Sequence, residues 1–304
     1  YQVERAGFDL AIAQRAAELG AQVLFDQKVG RVVEDETGVT LTCGQNQFRT
    51  RFLIDATGQN ALLVKSKLGR QWVRGMGRYA TFSHYENVAS SLARDIFDRG
   101  DIQVLLNPRG WSWLIPLPGN KLSVGLVHQD GQTVGKPETD FQTHLENSPF
   151  TARVLQGARR CQPIRRCSDF SYYGVMPQTN RMTTLGDACA FLDPIFSSGV
   201  SLSLYAARSI SFVMAHSLKN DLPLQLKVHH DRMSHGYKVF ERIIERFYRP
   251  GWADNVLFAH HKPERFVTEL NTIFAGYVWR EDNSWQDQLL RAKRRSITYE
   301  PALT

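Results

Sequence analysis

The residues 186–200 combine hydrogen-bond acceptors and donors in a short space. Gly186-Asp187-Ala188 closes a strand-like run at 183–187. A strand ending in Gly-Asp sets a carboxylate at the carboxyl edge of a sheet, where ribityl or ribose hydroxyls can donate to it. Asp193-Pro194 then forces a turn, and Ser197-Ser198-Gly199 opens a helix. The free N–H groups at a helix start form an anion site, suited to a halide ion or to a carbonyl carrying negative charge. A strand–loop–helix corner with capping serines would use the same residues without any ligand. A second stretch, Trp111-Ser112-Trp113-Leu114-Ile115-Pro116, reads as a strand. Alternate residues of a strand share a face, so Trp111, Trp113 and Ile115 project together as an apolar wall. A core strand carrying two tryptophans would look the same.

Other reactive residue types form no such pattern. Cys43, Cys161, Cys167 and Cys189 have neither zinc nor redox spacing. Four cysteines at this density suit a reduced, cytoplasmic protein. His229-His230 and His260-His261 belong to no HExxH pattern, so no metal site is expected. Gly75-Met76-Gly77-Arg78-Tyr79-Ala80 fits GxGxx[GA], but strand-like residues follow it where a dinucleotide loop needs a helix.

These residues need elements to hold them. Phe8, Ile12, Ala16 and Leu19 recur at helical spacing, and Gly20 stops that helix. Ala21–Phe25 reads as a buried strand, 29–34 and 38–43 as a hairpin around Thr37-Gly38, and Phe48–Ile54 as one apolar strand. Tyr79–Tyr85, Ile102–Leu106, Trp111–Pro116 and Lys121–His128 alternate or are β-rich, separated by Pro/Gly/Asn turns. They predict a mostly antiparallel sheet with helices near 87–98 and 138–157. A helix over Val200–Leu218 and two or three long helices to the C-terminus complete the chain. Tyr237, Phe240, Ile244, Phe247 and Tyr248 fall on one helix side.

The chain has 304 residues and a formal charge of +7, with 42% hydrophobic residues. That apolar content excludes a disordered or collagen-like chain. No run reaches the ~18 apolar residues of a membrane span. Glu4, Arg5 and Asp9 interrupt any signal-like stretch at the start. The positive excess is local: residues 61–78 hold Lys65, Lys67, Arg70, Arg74 and Arg78 without an acid, and 151–182 hold six arginines against Asp169. A solvated face or an anionic partner explains both. No finger, helix-turn-helix or RNA-binding signature accompanies the charge, so nucleic acid is not expected.

Taken together, Gly186–Val200 resembles the second flavin motif of FAD-dependent monooxygenases and their halogenase relatives. Val3-x-Arg5-x-x-Phe8-Asp9 resembles the family's helix entry, where the arginine reaches the cofactor. Asp55-Ala56-Thr57-Gly58 resembles its adenosine-side strand end, where glycine lets the backbone approach the nucleotide. Trp111–Pro116 matches the WxWxIP signature of flavin-dependent halogenases. The resemblance covers about residues 1–220 and implies a mixed α/β (α+β) fold. It predicts an incomplete FAD/NAD(P)-binding Rossmann-like domain at 1–75 and 179–220, an antiparallel substrate sheet at 76–178, and a helical region at 221–304.

The resemblance implies FAD as cofactor, supplied reduced by a flavin reductase, with Arg5, Asp55, Gly58, Gly186, Asp187, Pro194 and Gly199 binding it. It assigns catalytic roles to Trp111, Trp113, Ser198 and Gly199. A flavin hydroperoxide would oxidise halide to hypohalous acid, which would halogenate an aromatic or pyrrole-like substrate, possibly tethered to an acidic carrier protein. A monooxygenase or reductase of the same fold, or a non-catalytic fragment, is the alternative. The family's pyrophosphate loop and catalytic lysine are expected to precede Tyr1, which makes the chain an N-terminal truncation; Lys65 and Lys67 do not replace that lysine. The C-terminal aromatics Phe240, Phe247, Trp252, Phe258, Phe274, Tyr277 and Trp279 could line a substrate tunnel or fill a helical core.

Overall fold

The computed structural model describes residues 2–64, 69–73, 78–108, 110–128, 136–168, 171–174, 179–292 and 299–301. In chain order the first half contains α1 (Arg5–Glu18), β1 (Arg31–Glu34), β2 (Val39–Cys43), β3 (Asn46–Thr50), β4 (Leu53–Asp55), β5 (Arg70–Val73), β6 (Tyr79–Glu86), α2 (Ser91–Arg99), β7 (Gln103–Asn107), β8 (Gly110–Leu117), β9 (Lys121–His128) and α3 (Pro137–Asn147). Then come α4 (Pro149–Val154), β10 (Arg159–Arg160), β11 (Arg165–Ser168), β12 (Tyr172–Gly174), β13 (Met182–Thr184), β14 (Ala190–Phe191), α5 (Ser198–Asn220), α6 (Leu226–Phe247), α7 (Trp252–Val256), α8 (Glu264–Phe274), α9 (Ser284–Arg291) and β15 (Tyr299–Pro301). They divide into two compact units. One joins Tyr1–Gln27 to Met76–Asp169, and the other joins Lys28–Gly75 to Phe170–Thr304.

The first unit is built on an antiparallel sheet in the order β10-β6-β9-β8-β7, with β11 also pairing β6. The predicted alternation has a direct consequence here. One sheet face carries Tyr85, Leu114, Leu122, Val124 and Leu126, which bury against Ala93 and Ile96 of α2, Phe141 and Leu145 of α3 and Val154 of α4. The opposite face carries Trp111 and Trp113. The α2 start is capped by Ser90, whose hydroxyl accepts from Ala93 N at 3.1 Å, and Gly100 ends it at φ +67°. Helix α1 ends at Gly20 (φ +96°), with Ala21 N bonding Ala16 O at 3.0 Å.

One expectation near the N-terminus is corrected. Ala21–Phe25 forms no strand, and Leu24 and Phe25 are 51% and 69% exposed. A strand needs a neighbour for its N–H and C=O groups, and among the described residues none pairs with this stretch. The helix over Phe8–Leu19 forms, but none of its residues is buried.

The second unit holds a hairpin sheet β1-β2-β3, a sheet β14-β12-β5-β15, and a parallel pair of β4 and β13. Phe48–Ile54 is two strands, β3 and β4, in two different sheets. The chain breaks at Arg51-Phe52, where Thr50 Oγ1 donates to Phe52 O at 2.9 Å. Parallel pairing of β4 with β13 aligns Leu53 with Met182, Ile54 with Thr183 and Asp55 with Thr184. On one side Val32, Val39, Leu63 and Met182 bury together; on the other, Phe52 packs with Ile210 of α5 and Leu224 and Leu226 beside α6. The C-terminal region has one long helix, α6, followed by the short α7, α8 and α9. Tyr237, Phe240, Ile244 and Phe247 bury along its inner side as their spacing predicts.

Candidate functional site

The carboxyl ends of β4 and β13 lie side by side, and each leads into a one-turn 3-10 helix: Gly58–Asn60 after the first, Gly186–Ala188 after the second. Ends of adjacent parallel strands are where open α/β sheets seat nucleotides. Gly58 (φ +60°) and Gly186 (φ +55°) both occupy the left-handed region that favours glycine. A side chain on Gly186 would also meet Ser203 Oγ at 2.7 Å, so the turn packs directly on α5. Space around Gly58 is open within 4 Å.

Asp55 organises the first turn from within. Its Oδ1 accepts from Thr57 N at 3.0 Å and Thr57 Oγ1 at 2.6 Å, and its Oδ2 accepts from Leu63 N at 2.7 Å. The side chain is 3% exposed. Its carboxylate thus holds the Asp55–Gly58 loop in shape. Asp187, by contrast, is half-buried and faces the start of α5. Its Oδ1 is the sole atom within 4.0 Å of where a Gly199 Cβ would stand.

The start of α5 is built by the Asp193-Pro194 turn. Asp193 Oδ1 accepts from Ile195 N at 3.0 Å, and Tyr248 donates its hydroxyl to Asp193 Oδ2 at 3.1 Å. Pro194 occupies the first position of that turn, where its missing N–H costs nothing. Ser197 then adopts φ +50° and makes no side-chain cap to α5. The first turn of α5 contains no acidic residue. Ser197 thus does not cap α5 through its hydroxyl, and the positive end of the helix stands beside the Asp187 carboxylate. Ser198 is buried, while Gly199 is exposed.

Two tyrosines hold the 186–187 turn: Tyr172, which no motif marks, and Tyr237, expected only as part of an apolar helix face. Tyr172 donates to Asp187 O, and Tyr237 donates to Gly186 O at 3.4 Å. Burial pushes the Tyr172 hydroxyl up to about 12 and raises Tyr237 well above the ordinary phenol value, so both stay protonated donors. The Arg70 guanidinium lies 4.1 Å over the Tyr172 ring and stiffens it further.

In the first unit, Trp111 and Trp113 come together as the strand alternation predicts, with ring centroids 5.7 Å apart. Trp111 is 3% exposed and Trp113 half-buried. The Trp113 indole lies flat on Gly125, its register partner on β9, and its Nε1 donates to Ser123 Oγ at 3.2 Å. Phe82, opposite Gly125 on β6, meets the indole at 6.1 Å between centroids.

The remaining expectations sort as follows. Arg5 makes a two-pronged pair with Asp9 on α1, both bonds 2.9 Å, with both side chains exposed. Gly75–Gly77, Lys65 and Lys67 lie outside the described residues. His229 and His230 bond the hydroxyls of Ser209 (3.0 Å) and Thr183 (3.1 Å). Among the described residues, no three His, Cys, Asp or Glu side chains converge as a metal site. No helix among them is long and apolar enough to cross a membrane. Phe247 packs edge-on against Phe196, Phe274 stacks on Phe196 at 4.8 Å, and Trp279 stacks on Tyr205 at 3.4 Å. These five rings thus anchor the Asp193–Gly199 loop and α5 to the C-terminal region, whereas Phe258 and Tyr277 are 61% and 57% exposed.

Paired glycine turns at the ends of adjacent parallel strands, beside the start of α5, are the arrangement in which α/β proteins seat nucleotides. The chain belongs to the tryptophan halogenase family, whose profile matches residues 1–288. A 1H-pyrrole-2-carbonyl-[peptidyl-carrier protein] chlorinase of Pseudomonas fluorescens is 27% identical over 92% of this chain and 64% of its own length. A tryptophan 2-halogenase of Chondromyces crocatus is 30% identical over 68% of this chain and 42% of its own. Among solved structures, the flavin-dependent brominase Bmp2 superposes with a TM-score of 0.82 at 24% identity, covering 95% of this chain and 74% of that one. The fold is thus that of the FAD-dependent halogenases. The chain spans about half to two thirds of the length of the curated relatives it matches.

Proposed function

We propose that the chain is the greater part of an FAD-dependent halogenase acting on an aromatic or pyrrole-like substrate presented by a carrier protein. The observation that carries this reading is the start of α5. Ser197 does not cap it through its side chain, a Cβ on Gly199 would meet Asp187 Oδ1 at 4.0 Å, and the Asp187 carboxylate stands beside it. A flavin with its ribityl chain offers hydroxyls that suit a carboxylate and a carbonyl that suits a helix start.

When bound, reduced flavin supplies the oxygen activation that oxidises halide. The chain's own residues then bind and orient. Asp187 accepts ribityl hydroxyls, Ser198 and Gly199 offer backbone N–H groups to negative charge, and Pro194 fixes the approach of that loop. Gly58 admits the cofactor's close passage to the backbone, with Asp55 holding its turn, and Gly186 binds as part of the turn that presents Asp187. Arg5, which pairs with Asp9 on α1, is assigned to the cofactor, and Trp111 and Trp113 to the organic substrate. A flavin reductase supplies the reduced cofactor. The four thiols, free of disulfides, suit a reducing cytoplasmic setting. Functionally we divide the chain at 1–75, 76–178, 179–220 and 221–304.

The test is turnover with a flavin reductase, FAD and chloride or bromide, read by mass spectrometry. Halogenated product is expected. Product that carries oxygen and never halogen would replace this reading with a monooxygenase. A protein that takes up no flavin, followed by its absorbance, would replace it with a non-catalytic fragment.

A further inference from the structure

One charged feature stands outside the site. Residues 148–168 contain five arginines and no acidic residue. Arg153 on α4, Arg159 and Arg160 on β10, and Arg165 and Arg166 on β11 are all exposed. Their backbone is firmly placed: Ser90 Oγ donates to Val154 O at 2.9 Å, Cys161 N to His84 O at 2.8 Å and Ser83 Oγ to Gln162 O at 2.7 Å. Arg159 pairs with Glu86, and Arg166 stacks 4.7 Å over Tyr79. The result is a fixed positive edge that flanks the sheet on both sides: Arg159 and Arg165 pair with Glu86 and Phe82 on the tryptophan face, Arg160 and Arg166 with Tyr85 and Thr81 on the helix face.

Register connects that edge to the tryptophan wall. Arg165 lies opposite Phe82, Phe82 opposite Gly125, and Gly125 opposite Trp113. Directly paired residues point to the same face, so Arg165 begins a row that crosses three strand spacings to Trp113. At about 4.8 Å per spacing, the row is about 14 Å long. A substrate delivered on a long flexible thioester arm needs this pairing: a charged landing edge for the carrier and an apolar run from it to the reacting end.

We propose that the arginine edge docks an acidic carrier domain, whose tethered acyl group reaches Trp113 along the Arg165–Phe82–Gly125 row. The proposal rests on the carrier-tethered substrate named above. Charge complementarity selects the partner: an acidic domain gains from five guanidinium groups mostly through encounter and orientation. Arg160 and Arg165 carry most of the test, since Arg159 and Arg166 also hold local structure.

The experiment uses the full 304-residue chain and, as probe, a phosphopantetheinylated peptidyl carrier domain of net negative charge. Binding is measured for wild type, Arg160→Glu/Arg165→Glu, the milder Arg160→Gln/Arg165→Gln, and Arg31→Glu/Arg208→Glu in the other compact unit as a control of equal charge change. Near 0.01 M ionic strength, where charges act over ~30 Å, the double reversal is expected to weaken binding by about tenfold or more. The gap should close toward 1 M, where the range is ~3 Å. The glutamine pair should fall between, and Arg31→Glu/Arg208→Glu should stay close to wild type. Circular dichroism checks that each variant folds. Wild-type chain that fails to bind the carrier overturns the proposal. So does equal binding by the double reversal, or tighter binding of a single-stranded oligonucleotide than of the carrier. Flavin uptake and halide incorporation by wild type report separately on the halogenase reading.

Discussion

Gly125 offers a test of whether the tryptophan wall is held or merely present. A Cβ on Gly125 would lie 2.1 Å from Trp113 Cζ2 and 2.3 Å from Cη2. Carbon atoms in favourable contact sit about 3.5–4.0 Å apart, so the indole must retreat by about 1.5 Å. It cannot do so and keep its bond to Ser123 Oγ at 3.2 Å or its packing on Phe82. Overpacking of this kind costs about 1–3 kcal/mol, and the lost hydrogen bond about 1 kcal/mol. Replacing a strand glycine by alanine returns about 0.5–1 kcal/mol. The expected net loss for Gly125→Ala is about 2 kcal/mol, or roughly 4–8 °C in Tm for a unit of this size. The same change in a Trp113→Ala background meets no indole and should be neutral or slightly stabilising. Thermal unfolding of the four proteins gives the coupling, expected at about 2–3 kcal/mol, and near-ultraviolet circular dichroism reports the indole itself. Equal destabilisation by Gly125→Ala in both backgrounds would refute the argument.

Further outcomes follow from the site and its surroundings. Asp187→Ala should weaken FAD binding by about 1–3 kcal/mol, the scale of a lost buried hydrogen bond, as measured by flavin titration. Gly199→Val should leave the thermal melt close to wild type, because a Cβ there meets only Asp187 Oδ1 at 4.0 Å, yet should impair flavin uptake or turnover; a collapsed melt with flavin affinity intact would count against the ligand site. The Cys189 thiol, pushed up to about 12 by burial, should resist alkylation at neutral pH until the chain unfolds, a point checked by mass spectrometry. His229 has its pKa lowered to about 4 by burial first and by His230 second. The unfolded chain therefore binds the proton more readily. The stability this gives is present above about pH 6.5 and is lost as pH falls toward 4, by up to about 3 kcal/mol. His229→Gln should flatten that part of the stability–pH curve.

Local chemistry made part of this molecule readable. The hairpin at 29–43 follows from Thr37-Gly38, and the structure shows why it holds: Asp35 Oδ1 accepts from Thr37 N at 2.8 Å and Gly38 N at 3.1 Å. The strands of the antiparallel sheet announce themselves by alternation because one face meets helices. The start of α5 is readable because Pro, Ser and Gly each restrict the backbone. What escaped depends on distant partners. Ala21–Phe25 has strand composition, but composition supplies no neighbour. The division at Arg51-Phe52 arises because β3 and β4 answer to different sheets. Tyr172 and Tyr237 matter through two backbone carbonyls, and nothing in their sequence surroundings marks that role.

The pairing of β4 with β13 carries a consequence for how the protein is made. Its two strands are separated by about 130 residues of chain. Synthesis at 5–20 residues per second puts roughly 7–26 s between the emergence of one and of the other. Throughout that interval the Asp55–Gly58 turn exists without the Gly186–Asp187 turn beside it. The wall of tryptophans is complete far sooner, since β6 to β9 are near neighbours in sequence and such local contacts close quickly. The antiparallel sheet is therefore positioned to fold on the ribosome ahead of the β4–β13 pair, and a nascent chain stalled before β13 would carry its paired tryptophans while the Gly186–Asp187 turn has yet to be made.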